Sequence, residues 1–172
     1  MTTHLLVTQL RFTRTELLRC VEGVSDEEAR KRFDPMNCIA WMVGHLANQE
    51  NRYWNLRAQG KELFPELNDL VGSGKPASKP SLKEMLSVWS QITKTADIYL
   101  DTLTPELLVT YLLPSPKPIA ENIGTLLLRN IYHYWMHIGE ASAVRQLLGH
   151  KDLPQFVGDM AQYPYFREEK SI

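Results

Sequence analysis

The stretch that decides the fold is residues 122–149, NIGTLLLRNIYHYWMHIGEASAVRQLLG. Apolar side chains return along it at three- and four-residue intervals, and no proline interrupts them. The spacing predicts one long helix from near Ile119 or Asn122 to Leu148, with Gly149 as its left-handed terminator. At 1.5 Å per residue it is on the order of 40 Å long. His133 and His137 stand four apart, which puts two imidazoles one turn apart on one face, a separation suited to a shared metal ion. Asn130 and Glu140 lie within about 60° of them, and Leu126 and Val144 close the same face above and below. A solvated face would not return to leucine and valine on both sides of two histidines. The pattern is a polar layer set into a buried stripe, and buried polar groups need partners or a ligand.

Working outward, three more segments carry helical period. From Leu5 to Val21 the residues Leu6, Leu10, Leu17 and Val21 mark a first helix. Ser25 and Glu28 form a capping-box pair for a short turn that Pro35 ends. Asn37 is placed to cap a helix from Ile39 to about Ala58, with Gly60 as its terminator. The tract from Gly60 to Pro80 reads as a mobile surface connection. Ser81 and Glu84 then open a third long helix with Met85, Trp89, Ile92, Ala96, Tyr99 and Leu103 as its stripe. Thr104-Pro105-Glu106 starts another short turn, while Val109 to Leu113 and the prolines at 114, 116 and 118 favour extended chain. Four long helices without an alternating strand predict an all-α four-helix bundle. The long connections suggest a crossover topology, and the whole of residues 1–172 reads as one domain.

Composition agrees with a globular domain: 172 residues, 44% hydrophobic and 23% charged, with 19 basic against 20 acidic side chains and a formal charge of −1. That balance gives no global attraction for nucleic acid or an anionic membrane. The longest apolar stretches fall short of the ~18 residues of a membrane span. No secretory leader is visible in Met1 to Leu10, so the expected location is cytoplasmic. Cys20 and Cys38 form no CxxC pair and read as reduced, buried thiols. No GxGxxG, Walker, GxSxG or HExxH motif occurs.

The second long helix supplies a third imidazole. His45 has Cys38 and Leu56 within about 20° and Trp41, Met42 and Gln49 within about 60°, so it too sits in a largely apolar stripe. His45, His133 and His137 facing one another across a bundle would make a three-histidine site with a coordination position left for water or substrate. Glu140 is open between a fourth ligand, a group that orients a ligand histidine, and a general base. Zinc or nickel is the ion most expected, with manganese or iron as alternatives, and a fourth carboxylate ligand would favour nickel, manganese or iron. Cys38 could face the same cavity, although no orienting third group accompanies a Cys–His pair. His4 and His150 read as exposed or as partners of late carbonyls. Trp41, Trp54, Trp89 and Trp135 read as packing. Gly44 and Gly139 lie inside helices, where close helix approach would explain them. Asn48, Arg52 and Arg129 could line the cavity mouth and meet an anionic substrate.

The run Ile39-Ala-Trp-Met-Val-Gly-His-Leu-Ala-Asn-Gln-Glu50 resembles the WxxGHLAxxE-like second helix of the DinB-like superfamily. The run from Asn130 to Gly149 resembles that family's last helix, whose signature is HxxxHxGQ followed by a basic residue and a Leu-Leu-Gly end. Here Glu140 stands where the family usually has Gln. The resemblance implies a four-helix bundle with a family-specific crossover, often a homodimer. It also implies one divalent metal on the residues matching His45, His133 and His137. Family enzymes include thiol-dependent transferases acting with bacillithiol or mycothiol and a thiol-dependent maleylpyruvate isomerase, so a thiol cosubstrate acting on a small molecule is the implied chemistry. A dimeric scaffold or binding module whose metal only tightens the core is the alternative. A site open to solvent favours the first and a closed one the second.

Overall fold

A computed structural model describes residues 3–112, 120–155 and 157–163. The regular secondary structure among the described residues is all helical, with no strand. Helix α1 spans Leu5–Val21, and His4 begins it: the imidazole Nδ1 accepts from Leu6 N at 3.1 Å. His4 is therefore a capping group and not a free exposed side chain. The predicted capping box closes on α2, Asp26–Ala29, where Ser25 Oγ accepts from Glu28 N and the Glu28 carboxylate takes Ser25 N.

Helix α3 runs Ile39–Glu50 and continues into a π-helical stretch, Asn51–Arg57. Two expectations change here. Asn37 does not cap α3; Cys38 occupies the N-cap and makes no side-chain cap bond. Nor does one α-helix reach Ala58. The wider π turn advances the chain by more residues per turn, so Leu56, placed by 3.6-residue counting on the stripe of His45, is 40% exposed while Trp54 is fully buried. Gly60, at φ +67°, ends the stretch as expected.

The predicted surface connection over residues 60–80 contains helix α4, Leu67–Val71, whose Leu67 and Val71 are buried. It is part of the core. Helix α5, Leu82–Leu100, starts at Ser81, whose Oγ accepts from Glu84 N. The second contact at this end comes from α2, not from Glu84: Asp26 Oδ1 accepts from Leu82 N at 2.7 Å and from Ser81 Oγ at 2.8 Å. Helix α6, Pro105–Leu108, follows the Thr104 cap, and Val109 closes it in helical backbone instead of opening an extended run. The prolines that suggested extended chain lie outside the described residues.

Helix α7, Ile123–Leu147, is capped by Asn122, whose Oδ1 accepts from Thr125 N at 2.8 Å, and Gly149 terminates it at φ +89°. Helix α1 packs on α7, α7 on α3, and α3 on α5. Arg11 and Arg14 close the ring by reaching Asp97 on α5. Chain-consecutive α1 and α3 thus lie across the bundle from each other, as do α5 and α7, so both of those connections cross over. The 60–80 connection joins neighbours and needs no crossing; its length houses α4. No helix among the described residues is long and apolar enough to cross a membrane.

Candidate metal centre

The facing stripes of α3 and α7 bring three histidines to one point. Their ring centroids are 4.9 Å (His45–His133), 5.3 Å (His45–His137) and 4.6 Å (His133–His137) apart. One ligand nitrogen from each lies within 4.8 Å of the others. The sequence placed all three rings correctly, because each lies on an apolar helical face that folding must turn inward.

What fixes the rings is mostly invisible to periodicity. His45 Nδ1 lies 2.8 Å from the main-chain oxygen of Val71. His133 Nδ1 lies 2.9 Å from Gln49 Oε1. His137 Nδ1 lies 2.6 Å from Glu140 Oε2. Every partner is an acceptor, so each ring donates from Nδ1 and turns an Nε2 lone pair inward. The Gln49 oxygen is held in turn, since it accepts from Asn130 Nδ2 at 2.6 Å and Asn130 Oδ1 accepts from Trp54 Nε1 at 2.6 Å. Gln49 and Asn130 were on the predicted faces. The Val71 carbonyl, a backbone group in a segment read as a mobile loop, left no signal in the side-chain pattern.

Two inward Nε2 atoms, on His133 and His137, stand 3.0 Å apart. With both Nδ1 positions donating, two lone pairs face each other at that distance, and a shared cation relieves the repulsion. Nitrogens bound to one tetrahedral zinc are separated by about 3.4 Å, given bonds near 2.05 Å. The donor set fits a borderline metal such as zinc or nickel. Burial holds the proton affinity of all three rings down. His133 falls to about 3, helped by the charges of His137, His45 and Arg129, and His137 to about 4, helped by His45. His45 shifts the same way, with Arg52 adding to the effect against Val71 and Glu140. Near neutral pH the rings are therefore unprotonated and able to act as ligands, and the contact of His137 with Glu140 is a hydrogen bond from a neutral ring, not an ion pair.

Glu140 sits on the Nδ1 side of His137, away from the inward Nε2. Burial raises its carboxyl above the usual range. Trp41 stacks on His45, with centroids 4.4 Å apart and planes 13° from parallel, so this tryptophan forms a wall of the site as well as part of the core. A cavity of about 410 Å³ opens beside His45 and His133, and Asn48, Arg52 and Arg129 line it as expected, joined by Tyr53 and Tyr132. Cys38 does not reach it: its thiol points at Ser78 O, 3.7 Å away, and burial raises its pKa. The His150 ring bridges Arg145 and Glu28 far along α7, and its main-chain N–H meets the late carbonyl of Arg145 at 3.1 Å.

A family model described as the DinB superfamily matches residues 9–141, about three quarters of the chain, and the match includes all three histidines and Glu140. The chain belongs to the DinB superfamily. Its all-helical architecture is that of a DinB-like fold, and a divalent metal fits its three-histidine cluster. The comparison with curated proteins found no match.

Proposed function

We propose that this DinB protein is a metal-dependent enzyme in which His45, His133 and His137 hold one divalent ion, zinc or nickel, through their Nε2 atoms. The observation that carries the reading is the matched set of Nδ1 acceptors. Val71 O, Gln49 Oε1 and Glu140 Oε2 each fix one ring with its remaining lone pair turned inward. Three core histidines satisfied by one another would not need all three outer nitrogens tied to acceptors. When bound, the ion would supply Lewis acidity that lowers the pKa of a thiol or of water toward neutrality.

The chain's own groups supply the rest. Glu140 holds the His137 proton on Nδ1 and strengthens the ring as a donor. Trp41 shields one side of His45 from solvent. The cavity beside the rings leaves room for a small electrophile, and its opening to solvent supports catalysis over a purely structural ion. A low-molecular-weight thiol is the nucleophile we favour, transferred to or isomerising a small molecule; hydrolysis by water is the variant. We further propose that the chain acts in the cytoplasm as a single-domain protomer of a homodimer, a state that sedimentation equilibrium measures directly.

The test is metal analysis of purified protein with His45→Ala and His133→Ala as controls. One equivalent of metal in the parent and a loss of most of it in both variants is the expected result. Equal content in all three would refute the ligand assignment. Thiol-dependent turnover of a chromogenic electrophile that survives a chelator would refute the mechanism.

A further inference from the structure

We infer that the cavity beside the histidines is an oxyanion pocket, built to take a small-molecule substrate carrying a carboxylate or phosphate that Arg52 binds. The inference deepens the reading above and depends on it for the reaction, but not for recognition.

Three observations point the same way. First, the cavity wall carries two guanidinium groups, Arg52 and Arg129, and no carboxylate. Second, the two arginines differ in how they are engaged. Arg129 is paired through both Nε and an Nη with the Glu121 carboxylate, at 2.7 Å for the Nε contact. Arg52, exposed on the π-helical stretch after α3, has no hydrogen-bond or ion-pair partner among the described residues. Its five donors form a planar fork that suits a bidentate oxyanion. Third, the arginine's position is electrostatically costly for a cation site taken alone. Three neutral imidazoles leave a divalent ion's charge intact, Glu140 offsets part of it, and a further guanidinium on the same cavity adds repulsion. An anion seated between the ion and Arg52 is attracted by both. Arg52 lies seven residues after His45, two helical turns on, and so shares its face, while Trp54 is buried in the core. At about 410 Å³ the cavity is within the range of small-molecule pockets.

The test titrates metal-free and zinc-loaded protein with succinate, inorganic phosphate and the uncharged succinamide, following backbone amides by NMR. Saturable shifts at residues 48–53 and 129–136 are expected with the anions and not with succinamide. Arg52→Ala, a change at an exposed position, should weaken anion binding at least about tenfold, the worth of one charge-assisted hydrogen bond. Arg52→Lys should recover part of that loss. The preference between succinate and phosphate identifies which oxyanion the substrate bears. Anions that bind Arg52→Ala as tightly as the parent, in either metal state, would overturn the inference, as would succinamide binding as well as succinate. Absence of zinc uptake with Arg52-dependent anion binding intact would sink the metal reading instead, so the two failures are distinguishable.

Discussion

The amide of Gln49 has its orientation fixed from two sides, and one side chain thereby sets the state of a neighbouring ring. Asn130 and His133 both approach Gln49 Oε1, so His133 must donate from Nδ1 and leave Nε2 open. Gln49→Leu keeps the size and removes the acceptor. Metal affinity, measured by competition with a chromophoric chelator, should fall about 10- to 100-fold while the helical circular dichroism is unchanged. Unaltered affinity would mean that the ring needs no such partner. Glu140→Ala should behave alike through His137. Proton affinity at these rings also makes a prediction for the metal-free protein. In the folded chain His133 and His137 stay neutral until about pH 3 and about pH 4, whereas unfolded histidines protonate near about 6.5. Below that unfolded value the unfolded state binds more protons, so stability falls as pH drops from about 6.5 toward 4; above about 6.5 these groups contribute no slope. Urea midpoints between pH 7 and 5 should therefore decline more steeply in the parent than in a His133→Ala, His137→Ala double variant. Parallel declines would contradict the assignment.

At the level of elements, two glycines that look alike in sequence have opposite surroundings. A Cβ built on Gly44 would lie 2.5 Å from Met85 Sδ and 3.1 Å from Val71 Cγ1, so α3 closes on α4 and α5 there. Close approach explains Gly44. It does not explain Gly139, which is exposed and has nothing within 4 Å of its Cβ position. Gly139→Ala should accordingly stabilise α7 by about 0.5–1 kcal/mol in thermal or urea unfolding. Gly44→Ala should cost about 1–3 kcal/mol from overpacking, and by pressing on Val71 it should weaken metal binding as well. The same contrast marks what sequence reading can reach. Helical period revealed the inward faces carrying His45, His133 and His137, because burial of a stripe is a local property of the chain. It could not reveal that Val71 offers a carbonyl to His45, since main-chain groups carry no residue signature, nor the π turn after Glu50, since each residue in Asn51–Arg57 also fits an α-helix. Gln59 marks that turn only in three dimensions, where its Nε2 donates to Trp54 O at 2.8 Å.

Across the whole molecule, one buried polar chain draws on all four long helices. Arg14 of α1 donates through Nε to Glu50 Oε1 of α3 at 2.9 Å, and a second guanidinium contact reaches the other carboxylate oxygen. Tyr134 of α7 donates to Glu50 Oε1 at 2.6 Å, and Trp89 of α5 donates to the Tyr134 hydroxyl at 2.7 Å. Arg14 is 5% exposed and Glu50 not at all. The sequence did carry a trace of this: Arg14 stands four residues after Leu10 and three before Leu17, a charge in the middle of an apolar stripe. Its partner could not be named without knowing that α1 and α3 lie across the bundle. The two middle members of the chain of contacts adjoin the three-histidine cluster, because Glu50 follows Gln49 and Tyr134 follows His133. Removing one charge should therefore damage both stability and the site. Arg14→Met leaves the Glu50 carboxylate buried without its cation, at a cost of about 3–5 kcal/mol, because solvation lost on folding is no longer offset. Glu50→Leu should cost a similar amount by stranding Arg14, although Asp97, 2.7 Å from Nη1 and partly solvated, retains one contact. Combining the two should recover much of the loss, since the desolvation of both ions disappears together. A double-mutant cycle by urea denaturation, with metal affinity measured on each variant that folds, decides the matter. Losses that simply add would show that Arg14 and Glu50 do not depend on each other, and that this central chain is not what registers the four helices.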